Sequence, residues 1–148
     1  MPCLFVLQGP DEGTLKQLET SVDMTSGRSD EATFQLLDEK TSRVHCTITS
    51  TREVAGDFGI EITKWVLADA GSSNGTQLGS RQLDEATTLC DGDVMGVGVT
   101  VIVYLEQEFN DARAAMNYCA ERGINADTLS AAPIPMYNPS DSATLNDN

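Results

Sequence analysis

Thr41-Ser42-Arg43-Val44-His45 and, further on, Gly71-Ser72-Ser73-Asn74-Gly75-Thr76 are two knots of small polar residues lying between strand-like runs. Before them, Gly27-Arg28 ends a run of the same kind. Each knot brings donors to a turn. The arginine guanidinium is a planar fork that matches phosphate oxygens. Ser42 and Ser73 each have a hydroxyl proton to donate, and Asn74 both donates and accepts. A fold that gathers the three loops at one end makes a small anion site with an edge that reads peptide backbone.

The runs around the knots read as strands. Cys3 to Gln8 is rich in Leu, Phe and Val, and a turn cluster with glycine at both ends, Gly9 to Gly13, follows it. Thr14 to Leu18, Ser21 to Ser26 (Val22 and Met24 on one face) and Phe34-x-Leu36 come next. From Val44 to Val54 the chain alternates, with Val44, Cys46 and Ile48 on one side and His45, Thr47 and Thr49 on the other. Ala55 to Gly59 is a hairpin turn. Ile60 and Ile62 share one parity and Trp65 and Leu67 the other, which predicts a bulge near Thr63-Lys64. Thr76 to Leu78 and Gln82-Leu83 flank a second hairpin turn at Gly79-Ser80-Arg81. Thr87 to Leu89, Val94 to Val97 and Val99 to Leu105 complete the strands, with Asp91-Gly92-Asp93 as a turn between them. The β-branched run at Val99–Tyr104 fits a strand buried on both faces, or one inside a sandwich. Short strands at this spacing predict an all-β sandwich.

Gly-Arg, then Ser-Arg-x-His, then Ser-Ser-Asn-Gly-Thr, in that order and within this strand pattern, resemble the forkhead-associated (FHA) domain. The resemblance runs from about Leu4 to Leu105. It implies two antiparallel sheets and binding of phosphothreonine peptides. It makes Arg28 the principal phosphate ligand and Ser42 the second. Arg43 stands where relatives contact peptide or phosphate with varied residues, and a loop-tying role is an equal alternative. Ser73 lies beside the phosphothreonine, and Asn74 holds the peptide main chain. Gly27, His45 and Gly75 are implied to support the site. Many relatives have Asn-Gly at the second hairpin, where this chain has Gly79-Ser80; glycine still supplies positive φ there.

Glu108 to Arg122 changes period. Phe109, Ala112, Met116 and Cys119 recur at spacings of three and four, which predicts an amphipathic helix packed on the sandwich. Asp111 suits its start, and Gly123 and Ile124 suit its end. The expected organisation is a sandwich over 1–106, a helix over 107–123 and an extended or flexible polar tail over 124–148. The tail holds Thr128 and Thr144, two acceptors for a kinase and, once phosphorylated, candidates for capture by the site.

The net charge of −14 leaves no basic stripe and argues against nucleic acid and against anionic membrane surfaces. Four scattered cysteines and a single histidine make a zinc site a poor reading and reduced, cytoplasmic thiols the preferred one. No cofactor is expected. His45 beside Ser42 raises a nucleophile–base pair, but no orienting group or oxyanion motif accompanies it, so an enzyme is not the reading. Two functions remain open: a phosphothreonine-dependent adaptor, and a structural subunit that self-associates or joins a larger assembly through the helix and tail.

Overall fold

The structure, a computed structural model, describes residues 1–127; the expectations for Thr128, Thr144 and the rest of 128–148 lie outside the described residues. Among the described residues eleven strands form two sheets. One contains β1 (Cys3–Gln8), β2 (Leu15–Gln17), β7 (Thr76–Leu78), β8 (Arg81–Gln82), β10 (Val94–Val97) and β11 (Thr100–Leu105) in the order β2-β1-β11-β10-β7-β8. The other contains β3 (Met24–Gly27), β4 (Phe34–Gln35), β5 (Cys46–Ala55), β6 (Ile60–Asp69) and β9 (Thr87–Thr88) in the order β4-β3-β5-β6-β9. Pairing is antiparallel except between β3 and β4, which run parallel.

The two sheets close on a core of Leu4, Val6, Met24, Phe34, Ile48, Trp65, Leu67, Ile102 and Tyr104, among others. The alternate residues of β1 and β11 are buried too, because α1 (Ala112–Glu121) covers the outer face of their sheet. Phe5, Val101, Val103 and Leu105 meet Phe109, Ala115 and Cys119 there. Every residue of β11 is therefore buried, as its β-branched run implied. Full burial of a side chain the size of Phe109 is worth roughly 1.5–3 kcal/mol.

Local chemistry fixes the helix ends. The Asp111 carboxylate accepts from the Ala114 amide at 2.8 Å, capping the N-terminus. Gly123 (φ 71°) turns the chain out, and the Ile124 amide returns to the Cys119 carbonyl at 2.9 Å. Tyr118 donates to Asp91 at 3.0 Å, which ties the helix to the turn before β10. The helix is shorter than its periodicity suggested. Phe109 precedes it, and Ala115 rather than Met116 faces the sheet, leaving Met116 half exposed.

Three sequence expectations are corrected. No bulge interrupts β6: its register with β5 is unbroken from Cys46↔Asp69 to Ala55↔Ile60. Trp65 and Leu67 point into the core, while Ile60 and Ile62 lie on the opposite face in solvent. β3 begins only at Met24, so Val22 sits exposed in the preceding turn. Val44 belongs to the loop before β5 and is exposed as well. The second hairpin turn survives as expected, with Gly79 at φ 60°.

Candidate phosphopeptide site

β3 and β6 end, and β5 begins, at the same edge of the sandwich, and the loops that adjoin them there interlock. The Arg28 amide donates to the Ser42 carbonyl and the Ser29 amide to the Arg43 carbonyl, both at 3.0 Å. This ladder needs Gly27. A Cβ on that residue would lie 2.3 Å from the Arg43 carbonyl oxygen and 2.8 Å from that of Ser42, two backbone groups that cannot step aside. The Ser42 hydroxyl accepts from the Ser73 amide at 2.9 Å. The Asn74 side-chain amide donates to the Lys40 carbonyl at 3.3 Å. Arg28, Ser42, Arg43, Ser73 and Asn74 are thus brought to one rim.

His45 is the post on which the rim stands. It is fully buried. Its backbone amide donates to Ser26 at 2.8 Å and its carbonyl accepts from Ala70 at 2.9 Å. The Ser42 amide donates to its Nδ1 at 3.0 Å. Nδ1 is therefore the acceptor, and Nε2–H donates to the Gly75 carbonyl at 2.8 Å. One ring thus fixes both knots, with Gly75 itself at φ 83°. Both nitrogens are engaged within the protein, which leaves neither to serve as a base for Ser42. His45→Ala removes two hydrogen bonds and opens a void, and is expected to cost roughly 2–4 kcal/mol in urea unfolding. Peptide binding should weaken as a consequence of loop disorder. Lost binding with an unchanged unfolding midpoint would instead place the imidazole against the ligand.

Two carboxylates that the sequence reading passed over hold the loops in shape. Asp69 accepts from the Gly71 and Ser72 amides (3.0 Å each), the Ser72 hydroxyl (2.5 Å) and the Thr76 hydroxyl (2.7 Å). Burial pushes its carboxyl up, but the Ser72 and Thr76 bonds outweigh burial and hold it below the ordinary aspartate value. Asp38 is buried and accepts from the Lys40 and Val99 amides and the Thr100 hydroxyl, each at 2.8 Å. Burial again acts upward, and the Lys40, Thr100 and Val99 bonds bring the net shift downward. Asp38 thereby staples the loop before β5 to the turn between β10 and β11.

What the rim offers outward is positive and donor-rich. Arg28 spends only Nε, on the Thr41 carbonyl at 3.2 Å; among the described residues no hydrogen bond takes its two terminal nitrogens. The Arg43 side chain is exposed. The Ser42 hydroxyl accepts within the protein and keeps its own proton to donate. A cavity of about 300 Å³ opens beside Asn74, lined by Lys40, Gln77, Gln82 and Val99 among others. Lys40 was not singled out from sequence; its place directly before Thr41-Ser42 is the only local signal it carries. The thiols stand apart from this chemistry: burial, with Asp69 nearby, pushes Cys46 up to about 12.

Comparison with known proteins agrees with this geometry. No curated protein matches the chain. Among solved structures, the FHA domain of an Arabidopsis thaliana hypothetical protein is 30% identical (TM-score 0.61), with 74% of this chain and 88% of that chain covered. An FHA domain solved in a structural and functional analysis of phosphothreonine-dependent FHA domain interactions is 28% identical (TM-score 0.57), with coverage of 73% and 98%. The FhaA FHA domain, solved in complex with the intracellular domain of Rv3910, is also 28% identical (TM-score 0.55), with coverage of 70% and 99%. The FHA-domain family model matches residues 24–98, which hold all three loops of the rim, and the chain belongs to that family.

Proposed function

We infer that this chain is a phosphothreonine-dependent adaptor that binds phosphorylated segments of partner proteins. The observation that carries the reading is the convergence of the unspent end of Arg28, the Ser42 hydroxyl and the Asn74 amide on one rim braced by His45. A phosphate brings −1.5 to −2 charges and three acceptor oxygens, which this set of donors suits. In this reading Arg28 and Ser42 hold the phosphate, Arg43 and Ser73 flank it, and Asn74 binds the peptide backbone. Gly27, His45 and Gly75 act through the loops.

The acidic surface favours neutral or basic residues around the phosphothreonine. Lys40, in the cavity beside Asn74, gives one position at which an acidic or amide side chain is preferred. Free cysteines, three of them buried, support a reducing, cytoplasmic setting. Among the described residues no helix is long and apolar enough to cross a membrane.

The test is titration with a degenerate phosphothreonine library beside its unphosphorylated and phosphoserine twins. Micromolar binding, about −8 kcal/mol, is expected for the first set and none for the second. Phosphoserine should bind several-fold more weakly, since one buried methyl is worth about 0.8 kcal/mol. Equal binding of phosphorylated and unphosphorylated sets would remove the function.

A further inference from the structure

The far end of the β5–β6 hairpin stands outside the sandwich. β3 pairs with β5 only at Cys46–Ile48, and β9 pairs with β6 only at Val66 and Leu67. Beyond those contacts the hairpin is a two-stranded ribbon, a form only marginally stable alone in water. It also carries apolar side chains in solvent: Val54, Ile60, Ile62 and, at 92% exposure, Phe58. Ile60 and Ile62 share one face of β6.

The open edge of β6 can be located. The Trp65 carbonyl accepts from the Leu89 amide on the β9 side. Main-chain groups alternate along a strand, so Glu61 and Thr63 turn their N–H and C=O to the same side. Among the described residues no strand meets them there. Such an edge is a template for another strand.

We propose that this edge pairs with the same edge of a second copy, antiparallel about a two-fold axis at Ile62. Register and charge select this occupant. β9 blocks the edge from Val66 onward, leaving Ile60 to Lys64 free. A two-fold pairing centred on Ile62 uses all of that stretch. Glu61 then exchanges both main-chain bonds with Thr63 of the second copy, and Thr63 with its Glu61. The two Ile62 side chains meet as a close, non-hydrogen-bonded pair. Centring on Glu61 would set two carboxylates opposite each other. The ribbon is also nearly neutral, so two chains of net charge −14 meet there with little local repulsion. Its two cations are paired within the ribbon, Arg52 with Glu61 (3.7 Å) and Lys64 with Glu53 (3.3 Å), and only Asp57 of its acidic residues lacks such a partner. The contact is isologous and closed. Because β6 runs from the tip to Asp69 at the rim, the two phosphopeptide sites would face opposite ways, roughly 45 Å apart at ~3.3 Å per residue.

The test is sedimentation of the full chain over a concentration series. A contact this small should give a dissociation constant on the order of 10–100 µM, tightening with salt as the acidic surfaces are screened. Thr63→Pro removes only an outward N–H and should leave a folded monomer. Ile62→Cys in a Cys90→Ser background should oxidise to a covalent dimer, and Thr51→Cys in the same background should not. A wild type that stays monomeric throughout overturns the proposal. So does a dimer that survives in folded Thr63→Pro, or equal crosslinking of both cysteine variants. Should Thr63→Pro fail to fold, the crosslinking comparison alone decides.

Discussion

Arg28→Ala is expected to lose phosphothreonine-peptide binding by at least about a hundredfold, since two charge-assisted bonds of roughly 1.5–3 kcal/mol each are removed. The variant should unfold where the parent does. The side chain is exposed, its one internal bond is the Nε contact to Thr41, and the loop ladder at this residue runs through backbone groups that alanine retains. Arg28→Lys should fall between the two, because a lysine supplies the charge without the fork. Calorimetric titration and thermal melting on the same samples check both parts. Retained affinity in folded Arg28→Ala would take the residue out of the site.

Asp38→Ala is expected to have the largest effect on stability. It strands the Lys40 and Val99 amides and the Thr100 hydroxyl, three donors that converge on one buried carboxylate. At roughly 1–3 kcal/mol for each unsatisfied donor, a loss of about 3–5 kcal/mol is a large share of the 5–15 kcal/mol typical of a domain. The same carboxylate, with Asp69, contributes to the acid sensitivity of the fold. Both have folded pKa values below their unfolded ones. Their stabilisation is therefore complete above the unfolded aspartate pKa of about 3.9 and drains as pH falls through the lower folded values. Unfolding free energy measured from neutral pH down to pH 2 should decline below about pH 4. The decline should be shallower in Asp38→Ala, for which one of the two carboxylates is gone. Parallel curves would show that Asp38 binds its proton alike in both states.

The rim was legible because its parts are local. Gly27-Arg28, Ser42 to His45 and Ser73 to Gly75 are short patterns that name their own turns, and the resemblance that their order carries implied that they meet. Asp69 was legible in principle: an aspartate followed by Ala-Gly-Ser announces a side chain that accepts from backbone two and three residues on. Asp38 was only half legible. Its bond to Lys40 is local, but Val99 and Thr100 lie 61 and 62 residues away, and no spacing rule reaches that far. The false bulge in β6 has a different cause. Apolar residues share a face only where another sheet stands opposite, and the ribbon that carries Ile60 and Ile62 has passed that point. In the helix, Ala115 and Met116 both satisfy a spacing of three or four. The smaller one faces the sheet, and the periodicity had no means of choosing between them.

The place of β1 governs how the molecule is made. It lies between β2 and β11, with Cys3 opposite Leu105 and Leu4 opposite Tyr104. A ribosome adding ~5–20 residues per second needs roughly 5–20 s to supply the second strand after the first has emerged. Through that interval Leu4, Phe5 and Val6 have only the three-residue β2 beside them. The hairpins of the middle of the chain can form early, but the sheet that backs them cannot assemble until β11 has been made. A message truncated anywhere before the codon for Val101 yields a polypeptide with no sandwich to fold into.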